Sequence, residues 1–198
     1  MVTLEGPSID EMAGTGGELI VDAPSDAPTT IHTSFAAVQV CDMSGPVRVT
    51  AIHARAKILN TSGRVDASSF VIDFVGSKGT VVLSAEAEIN VKLTSPRFEG
   101  TLMAWAQRPV RVFVPQGFQT AFQVLVNRPG DFVCRTEFRE KVKHETRGTL
   151  HIFTYAGDGT TTPEKLHLRS EHGTVVIASH TDRQSAGVLL QSGFEDYT

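Results

Sequence analysis

The sequence predicts an all-β fold, a single-stranded β-solenoid (an irregular β-helix) of stacked short strands. Three observations lead there. Apolar and polar residues alternate at period two over several separate stretches, the spacing that buries one face of a strand and wets the other. One turn phrase recurs: Asn60-Thr61-Ser62-Gly63 ahead of Val65, then Ser77-Lys78-Gly79-Thr80-Val81, then Glu171-His172-Gly173-Thr174-Val175. Helix signals are nearly absent. A chain that rewrites one strand-turn unit stacks it, because a single coil cannot bury its apolar face alone. Short strands with regular turns also fit a β-sandwich, the alternative fold.

Residues 1–30, rich in Gly, Pro, Ser and Thr, read as a mobile leader with one candidate strand at Glu18-Leu19-Ile20-Val21-Asp22. The repeat domain covers residues 31–178. Its first strand has apolar residues on both faces, Phe35 and Ala37 against Val38 and Val40, so the pattern leaves its inner face open. After Pro46, Val47 and Val49 alternate with Arg48 and Thr50. Ile52, Ala54, Ala56 and Ile58 are predicted inward, with His53, Arg55 and Lys57 outward. Ala85, Ala87, Ile89, Val91 and Leu93 repeat the pattern around Glu86, Glu88, Asn90 and Lys92. Val110, Val112 and Val114 do so around Arg111 and Phe113, and Leu166 and Leu168 around His167 and Arg169.

Gly45, Gly63, Gly79, Gly100, Gly117, Gly130, Gly148 and Gly173 punctuate the strands at uneven intervals, which predicts coils of variable length. At ~20 residues per repeat the chain makes about seven to nine of them. Phe138 to His144 (FREKVKH) is a charged connector, a helical turn or a loop, and Gly157 to Pro163 is a second loop. Solenoid ends expose core and strand edges, so each needs a cover. The leader is predicted to cap one end. Residues 179–198 are predicted to cap the other, with a short helix or strand over Asp182 to Gln191 around Val188-Leu189-Leu190.

At 198 residues, with 40% apolar and 20% charged content, the chain suits one domain with a real core. A formal net charge of -4, with both signs interspersed, offers nucleic acid no basic face. The two cysteines, Cys41 and Cys134, lack the spacing of a disulfide framework or zinc site and are predicted to be buried free thiols. No apolar run reaches the ~20 residues that span a bilayer, so no membrane insertion is expected. The start, MVTLEGPSIDEMAGTGG, has neither a positive n-region nor an apolar h-region, which predicts a cytoplasmic chain. Had a leader been trimmed, the same residues would fit a cell-surface or secreted location.

Three pieces carry a family resemblance: Asn60-Thr61-Ser62-Gly63-Arg64-Val65, the strand Pro109 to Phe118 ending in Pro115-Gln116-Gly117, and Lys165 to Ile177. Their order over roughly residues 35–178 resembles the bacterial adhesin domain family of short β-strand repeats. That resemblance implies a single-stranded β-solenoid and supplies no catalytic residues. From its opening residues the chain is expected to depart from the family in lacking an export signal, and it also carries the charged insertion at 138–144.

Seven histidines include no HxH, HxxxH or HExxH spacing, and His53, His151 and His167 alternate with apolar neighbours as a solvated strand face does. No metal or other cofactor is expected. Asp66, Asp73, Glu86 and Glu88 are predicted to share a face with His53, Arg55 and Lys57 if their coils stack. That would suit a general acid and base on a polysaccharide, or simply opposite charges paired across strands. No GxSxG elbow, P-loop or dinucleotide motif appears, and Gly14-Thr15-Gly16-Gly17 follows no strand. Trp105, in Leu102-Met103-Ala104-Trp105-Ala106-Gln107-Arg108, has two registers open. The average burial of Trp favours a core plug. The outward register makes Trp105, Arg108 and Arg111 the ligand-surface candidates. The sequence therefore points to a non-enzymatic module presenting a sheet surface to a macromolecular or carbohydrate partner, with self-association through solenoid ends as a further expectation. A carbohydrate-active lyase or hydrolase on a β-helix is the alternative.

Overall fold

The computed structural model describes residues 2–5, 17–22, 26–157 and 165–180. In chain order its strands are β1 (Val2–Glu5), β2 (Glu18–Asp22), β3 (Thr29–Thr33), β4 (Ala37–Cys41), β5 (Val47–Leu59), β6 (Arg64–Gly76), β7 (Lys78–Leu93), β8 (Glu99–Ala106), β9 (Val110–Val114), β10 (Phe122–Asn127), β11 (Phe132–Arg135), β12 (Lys143–Arg147), β13 (Leu150–Tyr155), β14 (Leu166–Ser170) and β15 (Val175–Ser179). One 3-10 turn, Arg139–Lys141, interrupts them, and there is no α-helix among the described residues. The predicted element at Asp182 to Gln191 lies outside the described residues, as does most of the predicted loop after Gly157.

The strands build two parallel walls of a β-solenoid. The first runs β1-β3-β5-β6-β7-β8-β14-β10, continued by β13 and β12; the second runs β2-β4-β5-β6-β7-β9-β15-β11. The long strands β5, β6 and β7 belong to both, because each bends where the register breaks, between Ala51 and Arg55 and between Ser69 and Val71. Parallel in-register stacking places like residues above one another. Val47, Val65, Val81, Leu102, Leu166 and Phe122 form one buried row of the first wall. Val40, Ile58, Phe74, Val91, Val112, Ile177 and Cys134 form the matching row of the second. These rows meet as one core, and Cys41 and Cys134 are both buried and not disulfide-bonded. A second, smaller row lies on the outer side of the second wall: Cys41, Leu59, Val75, Phe113 and Ala178.

About five turns wind in succession, β3–β4 through β8–β9. Beyond them the chain leaves spatial order. It builds β10 and β11, turns through β12 and β13, and returns as β14–β15 to fill the place between β8–β9 and β10–β11. Uniform repeat counting cannot anticipate a coil inserted out of order.

Glycines make the close stacking feasible at one corner. A side-chain carbon on Gly63, Gly79 or Gly100 runs into the carbonyl oxygen of Gly45, Gly63 or Gly79 respectively, the glycine of the coil beneath. Gly79 and Gly100 also adopt φ of 115° and 128°, which L side chains avoid. The recurring Gly of the turn phrase is thus a spacer between backbones.

The bend between the two walls corrects one expectation. Ile52 is 40% exposed, because the chain bends at His53, φ 57°, and the inward phase passes from Val47, Val49 and Ala51 to Ala56 and Ile58. Val38 and Val40, left open by the pattern, face inward.

At the β10 end, the hairpin β12–β13 extends the first wall by antiparallel pairing with β10. The charged connector becomes the 3-10 turn and the start of β12, with Phe138 buried beneath. Phe138 stacks on Tyr155 at 4.6 Å, Phe132 lies 4.6 Å from Phe153, and Phe122 sits 5.4 Å from Tyr155. These rings plug the end of the core. Arg128 Nε donates to His151 Nε2 at 3.0 Å and ties the hairpin to the turn after β10. The outermost strand, β12 (KHETR), is exposed throughout and charged, a composition that discourages another edge from pairing with it.

Candidate functional site

Strands β7, β8, β14 and β10 lie side by side in the first wall. Along β8, Leu102, Ala104 and Ala106 point into the core, so alternation turns Met103 and Trp105 outward. The register leaning to a core plug is overturned: Trp105 is 43% exposed. Val82 of β7 and Met103 are exposed beside it. Together with Ser84, Gln123 and Leu125 they line a groove of about 580 Å3 over the outer face of the wall.

One carboxylate holds the polar end of this groove. Glu171 Oε1 accepts the Trp105 indole N–H at 3.2 Å and pairs with Arg169 Nη2 at 2.7 Å. Its other oxygen accepts Asn127 Nδ2 at 2.6 Å. Burial pushes the Glu171 carboxyl upward, but the bonds from Trp105 and Asn127 and the Arg169 charge outweigh it and hold the group below the usual carboxylate range. Glu171 is therefore ionised at neutral pH, and the indole edge is fixed while its face stays open.

The other two surface candidates do not join Trp105. Arg108 stands exposed in the turn after β8, where its carbonyl accepts Ser170 Oγ at 2.8 Å, and it does not line the groove. Arg111 lies on β9 in the other wall. Its Nη1 donates to Glu88 Oε2 at 2.8 Å and Asn90 Oδ1 at 3.3 Å. It is committed to a polar ladder, not presented to a ligand. Glu171, Arg169 and Asn127 went unmarked in the sequence, where Glu171 figured only as part of a turn phrase. They meet Trp105 because β14 is inserted between β8 and β10, and no local pattern encodes that.

The four carboxylates considered for acid-base chemistry are divided in the same way. Asp66 pairs with Arg64 at 3.0 Å on the outside of the first wall, and Glu86 is exposed where β7 bends. Only Asp73 and Glu88 come together, on the outer side of the second wall, linked through Asn90 Nδ2 at 2.9 and 3.4 Å. Asp73 is 1% exposed, with Arg55 Nε 3.4 Å from Oδ2. Lys57, Asp73, Asn90 and Arg111 lie in register, a ladder of opposite charges and amide across successive coils. His53 stands apart at the bend, its ring 5.7 Å from Phe35.

Burial raises the Asp73 carboxyl above its ordinary range, against the lowering effects of Asn90 and Arg55. In Glu88, the Arg111 and Asn90 contacts overcome burial and lower it. A raised folded-state pKa contributes stability below the ordinary carboxylate range and loses it as pH rises through the raised value. Asp73→Asn is therefore expected to gain on the parent as pH rises from acid to neutral. Urea midpoints of both proteins across that range check this; a difference that stays constant or shrinks contradicts it.

Among the described residues no three His, Cys, Asp or Glu side chains converge, and no helix is long and apolar enough to cross a membrane. Compared with known proteins, the chain matches no family model, no curated protein and no solved structure.

Proposed function

We propose that this β-solenoid is a non-enzymatic binding module, adhesin-like in kind, that presents the outer face of its first wall to a carbohydrate or other macromolecular partner. The observation that carries this reading is Trp105. A large amphipathic ring stands 43% exposed in a groove, with its N–H already bonded to Glu171. Leaving such a ring in water forgoes the burial it would gain in a core, and a ligand stacked on its face restores it. The ring is also held before the ligand arrives, so little side-chain freedom is lost on binding.

The test is a glycan, polysaccharide and peptide array, with product analysis on every ligand that binds. The expected result is binding without cleavage, reduced about tenfold or more in Trp105→Ala, since stacking on an aromatic face is worth up to about 1.5 kcal/mol beyond the area it buries. Circular dichroism should match the parent, because the side chain faces out. Cleavage of a bound polymer, or silence across the whole array, rejects the proposal.

A further inference from the structure

The groove also discriminates between ligand classes, on the reading that this face binds a partner. We infer that it takes an uncharged oligosaccharide chain lying across strands β7, β8, β14 and β10.

The first argument concerns the backbone. Each of these strands has a neighbour on both sides: β7 lies between β6 and β8, β14 between β8 and β10, and β10 between β14 and β13. An extended peptide gains affinity by adding a strand to a free sheet edge. There is no such edge here, so its amides would lie over a surface whose own backbone groups are already paired. Sugar hydroxyls need only side-chain partners, and Ser84 and Gln123 offer uncharged ones in the groove.

The second argument is electrostatic. Arg169 pairs with Glu171, which receives the Trp105 and Asn127 donors as well. The cation that would attract a polyanion is offset by its own carboxylate, and that carboxylate is occupied by three donors. Attraction to either sign of charged polymer is thereby weakened.

The third is shape. Val82, Met103 and Trp105 give an apolar floor on adjacent strands, and the indole face suits the C–H face of a sugar ring. With strands ~4.8 Å apart, the groove extends about 14 Å from this floor on β7 and β8, past His167 and Arg169 on β14, to Gln123 and Leu125 on β10, room for a short chain rather than a single ring.

Trp105 is the only tryptophan, so its emission reports the groove directly. The full chain is titrated with cellohexaose, xylohexaose and mannohexaose, and in parallel with hexagalacturonic acid, a chitosan hexamer and an alternating Val-Glu octapeptide. At least one neutral hexamer is expected to shift the emission to shorter wavelength, with an affinity unchanged by added salt. Glu171→Gln keeps an amide for hydrogen bonding but leaves the Arg169 charge without its counter-ion. It is expected to bind hexagalacturonic acid about tenfold more tightly than the parent does, the scale of one charge-assisted contact. A parent that responds only to the charged hexamers or the peptide overturns the neutral-chain inference and leaves the binding-module reading standing. Silence of all six probes overturns it too, and the wider array then decides separately whether the face binds anything.

Discussion

Gly100→Ala is expected to destabilise the protein by about 3–5 kcal/mol, at the upper end for a single substitution. Two effects combine at this residue. Its φ of 128° lies where an L side chain is strained, a cost of about 1–3 kcal/mol. The new methyl also collides with the Gly79 carbonyl oxygen of the coil beneath, which is backbone and cannot rotate away. The coils must separate locally, and the ladder joining β7 to β8 must lengthen with them. Gly117 supplies the control. It has a positive φ, 71°, but nothing within 4 Å of the added carbon, so Gly117→Ala should cost only the left-handed strain, about 1–2 kcal/mol. Urea unfolding of the two variants measures the difference. Equal losses would show that the close approach of the coils contributes nothing.

Phe122→Ala should be of similar size, about 3–5 kcal/mol. Phe122 is fully buried in the row that includes Leu166, and its ring lies 6.3, 6.1 and 5.4 Å from those of Phe132, Phe138 and Tyr155. The cavity would open between the last coil and the aromatic plug, where three other rings rely on this one for packing. Partial collapse recovers little, because β10 is held by strands on both sides. Hydrogen exchange should show protection falling first in β12 and β13. A loss under about 1 kcal/mol would mean that the plug repacks freely, contrary to the close packing expected of a core.

How much of this was legible in the sequence depended on whether a strand had a polar face. Ala85 to Leu93 carries Glu86, Glu88 and Lys92 on one side, and its inward residues are buried as the pattern requires. Leu102 to Ala106 is apolar on both faces, so alternation had no phase to lock onto and the direction of Trp105 stayed undetermined. Ile52 failed for a different reason: a bend within a continuous strand shifts the phase without a glycine or proline to announce it. The turn phrase located the corners correctly, and its glycines prove to mark contacts between coils. The groove beside Trp105 was the least legible feature. Its partners, Trp105 and Glu171, are 66 residues apart and meet only through the out-of-order coil.

That coil behaves like a keystone. β10–β11 cannot rest on β8–β9, since the place between them belongs to residues 166–179, which leave the ribosome later than either neighbour. Domains begin folding as they are synthesised, yet here the aromatic plug and its hairpin reach their places in the stack only through a coil that follows them in the chain. In the folded molecule strand pairing joins the far end to β8–β9 only through β14–β15, and without that coil two parallel strand edges would face an open slot. The pairing of Trp105 with Glu171 depends on that coil, so the groove exists only where β14 stands between β8 and β10.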